Sequence, residues 1–277
     1  MGDEIVLPAD WVVRHTLERL VSEARILMLA GLPGVGKSLL VQQISRMARR
    51  IDRPVFLLQW DVARSAFETE PILARYPEVD GFTHSAIKRA AGLWSRGAVL
   101  GWHRQQPPAS LLVAETPLVG GRLFELAAPH DDDAEPLLAS EQVQFVLPVP
   151  SREVRTIIEA ARERSMSAPR HDRERADAAP AVLRALWADV YREGYAAVGG
   201  GAPPSGPIPY DPNAYREVYL AWLRHRHVAV LDMDRRLAID ASVYDVDAIA
   251  GELAPGDDEV DEVMRAVESA PLEDARS

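Results

Sequence analysis

The hydrophobic positions of this chain alternate between short continuous apolar runs and longer stretches with apolar residues at helical spacing. A continuous run is typical of a strand buried on both faces, and helical spacing is typical of an amphipathic helix. The runs predict strands over 25–30, 55–60, 110–114, 143–149 and 228–231. The helical stretches predict helices over 8–24, 39–51, 82–104, 119–128, 181–197 and 213–224, and one that begins after Ser151. This alternation predicts an α/β fold with a doubly wound parallel sheet and flanking helices.

A specific motif lies between the first predicted strand and the helix that follows it. Residues 31–38 read G-L-P-G-V-G-K-S, a complete G-x-x-x-x-G-K-[ST] phosphate loop. Its glycines let backbone amides turn toward phosphate oxygens, and the start of the next helix adds positive potential. In this motif Lys37 reaches the β- and γ-phosphates, and the Ser38 hydroxyl is a ligand of Mg²⁺. We therefore predict a P-loop NTPase fold that binds ATP and Mg²⁺ through Gly31, Leu32, Pro33, Gly34, Val35, Gly36, Lys37, Ser38 and Leu39.

The composition narrows the class of protein further. The chain has 277 residues, of which 47% are hydrophobic, and this is enough to bury a substantial core. It has no cysteine, which excludes disulfides and thiolate metal sites. No apolar run reaches the ~20 residues that cross a bilayer, so we expect a cytoplasmic protein that does not enter membranes. The net charge of −11 disfavours non-specific binding to nucleic acid.

Two acidic residues follow predicted strands, at the edge of the sheet where ligands collect. Asp61 ends the second strand and Glu115 ends the third. Glu115 is a candidate for holding Mg²⁺ or orienting an acceptor, although a glutamate at a helix start is also stabilised by the helix dipole. For Asp61 the alternative is a helix cap, with Arg64 pairing with Glu68 or Glu70 along the helix.

The segment 59–64, Q-W-D-V-A-R, resembles the D-x-x-R element of P-loop small-molecule kinases such as the adenylylsulfate kinases, zeta-toxin sugar-nucleotide kinases and nucleoside kinases. The resemblance implies that Asp61 orients or deprotonates an acceptor hydroxyl and that Arg64 holds an anionic part of the acceptor. It also implies an arginine-rich lid over about 151–178, after the fourth strand, with Arg162 and Arg170 as candidates for contact with ATP. The acceptor would bind along the helical segment 66–106.

The chain is expected to divide into a kinase domain over 1–250 and an acidic tail over 251–277. The tail carries nine acidic and two basic residues, which predicts a solvated appendage with one short amphipathic helix. Asp232 follows the last predicted strand and is an alternative aspartate for Mg²⁺, although its distance from the phosphate loop favours a structural role.

The leading hypothesis is an ATP-dependent kinase that transfers the γ-phosphate to a hydroxyl of a small polar or nucleotide-like acceptor. A second is a kinase acting on a hydroxylated base or an end of a nucleic acid, with contacts from four cations of the long helix: Lys88, Arg89, Arg96 and Arg104. A third is an ATP-gated interaction protein whose acidic tail recruits a partner. No N-K-x-D sequence occurs, which disfavours a GTPase.

Overall fold

The computed structural model describes residues 4–79, 82–169, 171, 174, 178–195, 198, 205–239, 242–246 and 249–269. The strands are β1 (Ile26–Ala30), β2 (Val55–Gln59), β3 (Leu111–Thr116), β4 (Val143–Pro150), β5 (His227–Met233) and β6 (Gly251–Leu253). The helices are α1 (Val12–Glu23), α2 (Lys37–Arg49), α3 (Trp60–Phe67), α4 (Glu70–Arg75), α5 (Ser85–Gln105), α6 (Phe124–Ala127), α7 (Glu135–Leu138), α8 (Arg152–Ser167), α9 (Pro180–Tyr195), α10 (Pro212–Trp222) and α11 (Asp257–Ser269).

The six strands form one parallel sheet in the order β5-β4-β1-β3-β2-β6. Every residue of β1 is buried, because helices cover both faces of the sheet. Helices α1 and α2 pack on one face, while α3, α5, α10 and α11 contribute to the core on the other. The predicted doubly wound α/β fold is confirmed, and it brings the carboxyl ends of β1, β2 and β3 side by side.

Helix α8 begins where the sequence predicts it. Ser151 is its N-cap, and its hydroxyl accepts a hydrogen bond from the backbone N–H of Val154 at 3.2 Å. Only Val154 and Arg155, both in the first turn, are buried among its sixteen residues. The helix is therefore anchored at its N-terminal end.

The acidic C-terminal segment departs from the predicted appendage. Gly251–Leu253 pairs with β2 as the edge strand of the sheet, and α11 packs against α5. Val260, Met264 and Val267 are buried, and the Trp94 Nε1–H donates to Glu259 at 3.2 Å. The apolar stripe of α11 thus belongs to the core while most of its acids face solvent, so residues 251–269 are an integral part of the fold.

A buried ion cluster ties the long helix α5 to the segment before β4. Arg96 donates to both carboxylate oxygens of Asp132 at 2.6 Å and to Glu135 at 2.9 Å. Arg226 donates to the two oxygens of Glu135 at 2.6 and 3.0 Å. We call these four residues the Arg96 cluster. Burial opposes ionisation of Glu135, but hydrogen bonds from Arg226 and Arg96 outweigh it and lower its pKa to about 2.

Helices long and apolar enough to cross a bilayer are absent from the described ranges.

Candidate functional site

The phosphate-loop sequence forms a tight turn between β1 and α2. Gly31, Gly34 and Gly36 have φ angles of 132°, 74° and 96°, values that residues with a Cβ atom rarely adopt. Gly36 is the N-cap of α2, so the first turn of the helix, with Lys37 and Ser38, follows the glycines directly. The turn therefore directs unpaired amides of the helix start toward the space above β1.

Lys37 is folded over the loop that precedes it. Its side chain is only 4% exposed, and its Nζ donates to the carbonyls of Gly31 at 3.0 Å and Leu32 at 2.9 Å. The Glu115 carboxylate lies 3.8 Å from the same nitrogen. This places a buried ammonium group at the mouth of the loop, opposite the carboxyl end of β3.

Three side chains hold the loop from its outer side. The Arg155 guanidinium donates to the carbonyls of Pro33 at 3.1 Å and Gly34 at 3.0 Å. The loop is packed so closely that a Cβ added at Gly34 would lie 2.9 Å from Leu183, and one at Gly31 would lie 2.3 Å from the Tyr215 hydroxyl. Helices α8, α9 and α10 thus each supply one side chain that fixes the loop conformation.

Cations converge on Lys37 from several elements. Burial lowers the pKa of Lys37 to about 8; Glu115 opposes this shift, and Arg162, Arg122 and Arg155 add to it. We call Lys37 and these three arginines the loop cations. These side chains bring positive charge together beside the loop, where Glu159 pairs with Arg155 at 3.1 Å and Glu115 lies 3.8 Å from Lys37. The natural complement of the remaining positive charge is a polyanion.

Two side chains with oxygen atoms of the kind that Mg²⁺ prefers stand beside the loop cations. Ser38 lies in the first turn of α2, and Glu115 is on β3 next to β1, in register with Leu29. The parts of the chain that the structure describes contain no cage of three or more His, Cys, Asp and Glu side chains. A hydroxyl and a carboxylate suit Mg²⁺, which usually binds one or two protein oxygens and completes its shell with phosphate and water.

Asp61 lies in the first turn of α3, at the carboxyl end of β2. Its side chain is 85% exposed, and its nearest cation is Arg64 at 3.8 Å. Arg64 itself donates to both oxygens of Glu68 at 2.6 and 2.7 Å, the pairing along the helix that the sequence offered as the alternative. Gln59 is in register with Glu115, so the two candidate acids lie at the carboxyl ends of neighbouring strands.

A cleft opens beyond Asp61, between the loop after β3 and helices α5 and α9. Its walls include Lys88, Arg122, Asp189 and Glu193. Arg122 connects the cleft to the phosphate loop, because its charge acts on Lys37 and interacts with that of Asp61. Leu186 also lines the cleft, one turn after Leu183 against Gly34.

The other predicted site residues differ in how close they lie to the phosphate loop. Leu39 is buried in the first turn of α2, and Arg162 donates to the carbonyl of Ala178 at 3.3 Å while its charge reaches Lys37. Arg170 and much of the predicted lid after it lie outside the described residues. Asp232 is on β5, at the opposite edge of the sheet from β2, and pairs with Arg216. The position of Asp232 fits the structural role that its distance from the phosphate loop favoured in the sequence.

Sequence reasoning missed Arg155, which is 3% exposed and touches the loop. It is one of many arginines after the fourth strand, and the sequence contains no signal for which of them points inward, except that it lies in the first turn after the Ser151 cap. The second hypothesis also loses a contact. Arg96 is 1% exposed within its ion cluster and therefore does not face a nucleic acid.

No protein-family model and no curated protein matches the sequence. Among solved structures, the chain is similar to Kti12 of Chaetomium thermophilum in complex with ADP-AlF3, with 10% identity and a TM-score of 0.28. The likeness covers 88% of this chain and 98% of that one. At this identity and TM-score the likeness carries no argument about the site, whose interpretation rests on its own geometry.

Proposed function

We propose that this protein binds ATP with Mg²⁺ at the phosphate loop and transfers the γ-phosphate to a hydroxyl of a small polar acceptor. The observation that carries the proposal is the position of Lys37, buried at the start of α2 and surrounded by the other loop cations. Burying positive charge beside positive charge costs free energy in the free protein. A bound triphosphate would offset that cost by placing negative charge at the centre of the group.

Magnesium would bind between the Ser38 hydroxyl, the phosphates and water, with Glu115 as a further oxygen ligand. When bound, Mg²⁺ neutralises charge on the phosphates as the phosphoryl group moves. Lys37 would exchange its two carbonyl partners in the loop for phosphate oxygens. The arginines of α8 would hold the loop and cover the phosphates, which excludes water from the reaction.

The acceptor would approach from the cleft beyond Asp61. Its hydroxyl oxygen attacks the γ-phosphorus, the bond between that phosphorus and the β,γ-bridging oxygen breaks, and ADP leaves. The hydroxyl proton passes to the Asp61 carboxylate, which is exposed at the carboxyl end of β2 and free to face an incoming molecule. Positioning and charge stabilisation supply most of the catalysis in such transfers.

The proposal is tested by comparing ATP binding with phosphate transfer in the full chain. Calorimetry with ATP and Mg²⁺ should detect one site in the wild type and in Asp61→Asn, with affinities within about threefold because Asp61 contacts the acceptor. Transfer of γ-labelled phosphate from ATP into a metabolite extract should fall at least about 100-fold in Asp61→Asn. Asp10→Asn, an exposed aspartate paired with Arg235, is the matched control.

Failure to bind any nucleoside triphosphate in the presence of Mg²⁺ would overturn the whole proposal. Equal transfer by the wild type and Asp61→Asn would remove Asp61 from the mechanism and leave Glu115 as the acid beside the loop.

A further inference from the structure

The acceptor cleft contains a half-buried arginine whose side chain has no hydrogen-bond partner among the described residues. Arg122 follows β3 after two glycines with positive φ, and its guanidinium lies 5.9 Å from the centre of the Trp60 ring. Burial lowers the pKa of Arg122. Within the described part of the chain, its side chain has neither a hydrogen-bond partner nor an ion pair within 4 Å. Five donors that are partly removed from water without a partner are costly, and an anion would satisfy them.

Arg64 is not available for the same task. Its guanidinium is held by both oxygens of Glu68, which is only 16% exposed. The anion-binding role that sequence analysis assigned to Arg64 therefore suits Arg122 better, since Arg122 lines the cleft and keeps its donors unpaired within the described chain.

The two walls of the cleft carry opposite charges. Lys88 stands on the same side as Arg122, and its Nζ donates to the Gly120 carbonyl at 2.7 Å. Asp189 and Glu193, four residues apart on α9, form the other wall. Asp189 already pairs with Arg192 at 3.0 Å, so Glu193 is the carboxylate of this wall that a ligand would meet. Among the charged residues of the cleft, Arg122 interacts electrostatically with Lys37 and Asp61, whereas Glu193 interacts with Lys88. The cleft is thus positive near the phosphate loop and negative on α9.

A ligand that matches this arrangement has an anionic group and a cationic group on one small skeleton. The carboxylates of α9 would repel a polyanion such as a nucleic acid strand, and the cations would repel a polyamine. We propose that the acceptor is a small hydroxylated zwitterion, whose acidic group binds Arg122 and whose ammonium group binds the Glu193 carboxylate on α9. This inference rests on the proposed kinase function, with the acceptor hydroxyl directed toward Asp61.

The test measures acceptor binding and phosphate transfer separately. The full chain is saturated with Mg²⁺ and a non-hydrolysable ATP analogue and then titrated with four probes that share three carbons: serine, glycerate, serinol and glycerol. Larger hydroxylated compounds are grouped into the same four charge classes, with a short oligonucleotide as the polyanion. We expect zwitterions to bind at least about tenfold more tightly than matched compounds that lack either charge. A compound without one of the two charged groups loses the contact that this group makes with the cleft.

Substitutions test which residue of the cleft binds each charged group of the ligand. Arg122→Gln should weaken zwitterion binding at least about tenfold, and by a larger factor than it weakens binding of the ATP analogue, because Lys37, Arg155 and Arg162 remain beside the phosphates. Glu193→Gln should reduce the preference for compounds with an ammonium group. Arg104→Gln, at the far end of α5 and 62% exposed, is the matched control and should change neither.

The outcomes separate this inference from the proposed function. Transfer from ATP to neutral polyols, hydroxy acids or oligonucleotides as efficiently as to zwitterions would overturn the inference and leave the kinase in place. Zwitterion binding without transfer would retain the site and overturn the kinase. The inference also fails if compounds of no class bind, or if Arg122→Gln weakens the nucleotide instead of the acceptor.

Discussion

Two groups of cations in this protein differ in what neutralises them. In the Arg96 cluster, two arginines meet two carboxylates at hydrogen-bond distance, and every charge has an opposite partner. Among the loop cations, Lys37 has one carboxylate at 3.8 Å and three arginines close enough to lower its pKa. In the Arg96 cluster the opposite charges neutralise one another, and the cluster holds elements of the fold together. Arg155 also pairs with Glu159 at 3.1 Å, but Lys37 itself has no carboxylate at hydrogen-bond distance among the described residues. This arrangement around Lys37 suits a ligand site rather than a structural ion pair.

The largest effect is expected in the Arg96 cluster. Arg96→Met removes three hydrogen bonds to partly exposed carboxylates, while Glu135 keeps Arg226, so the free energy of unfolding should fall by about 1.5–3 kcal/mol. Urea unfolding at pH 7 measures this. Arg104→Gln, whose exposed pair with Asp133 is 3.4 Å long, should change stability by less than about 0.5 kcal/mol. A similar loss in the two variants would mean that the cluster is not a structural unit.

Lys37→Met should give the opposite pattern. The affinity for ATP with Mg²⁺ should fall at least about 100-fold, or about 2.7 kcal/mol, because the central loop cation is removed. Stability should stay the same or rise, since a buried lysine with a lowered pKa contributes unfavourably to folding at neutral pH. Calorimetry and urea unfolding of one preparation measure both. A loss of stability as large as in Arg96→Met would erase the difference between the two groups.

The lowered pKa of Lys37 also makes the stability of the protein depend on pH. The folded pKa of Lys37, about 8, lies below its unfolded value near 10.5, so the unfolded chain binds more protons between these two pH values. Stability therefore rises with pH across this window in the wild type relative to Lys37→Met, by about 1–3 kcal/mol. Urea unfolding at pH 7.5 and pH 10 measures the difference. Parallel pH profiles of the two proteins would show that Lys37 titrates normally in the fold.

A smaller effect is expected at Arg155, which is a positioning residue for the loop. Arg155→Gln removes the donors to the carbonyls of Pro33 and Gly34, and the affinity for ATP should fall about tenfold. Arg152→Gln, in the same turn but 68% exposed and paired with Asp211, should bind ATP normally. Proton exchange of the Gly34 and Gly36 amides should also quicken in Arg155→Gln alone. Equal ATP binding by both variants would exclude a role for Arg155 in shaping the loop.

Much of the fold follows from local pattern. The central strands are continuous apolar runs, the phosphate loop has a fixed spacing, and Ser151 has the chemistry of a helix cap. The C-terminal segment has none of these signals. Strand β6 has three residues, and its place beside β2 depends on Gly251, where a Cβ would lie 3.1 Å from Phe56. The apolar stripe of α11 predicts an amphipathic helix, but nothing in the sequence shows that this stripe packs against α5.

The site was predictable only where one motif specifies it. The spacing of the phosphate-loop motif identifies Lys37, and the position at a strand end identifies Glu115. The partners of Arg64, Arg122 and Arg155 depend on how α3, α8 and the loop after β3 pack, because each arginine has several acids within reach along the sequence. Arg64 pairs with Glu68, four residues further along the chain, and not with Glu70, the other acid that the helix spacing offered.

The most direct test of the account is the pKa of Lys37 with and without ATP. The chain has two lysines, Lys37 and Lys88, so ¹³C-lysine labelling gives two ε-carbon signals, which Lys88→Arg assigns. Without nucleotide the Lys37 pKa should be about 8. With saturating ATP and Mg²⁺, phosphate oxygens should stabilise the ammonium form and raise the pKa above ~10. A Lys37 pKa that does not change on addition of ATP would contradict the claim that the loop cations form a triphosphate site.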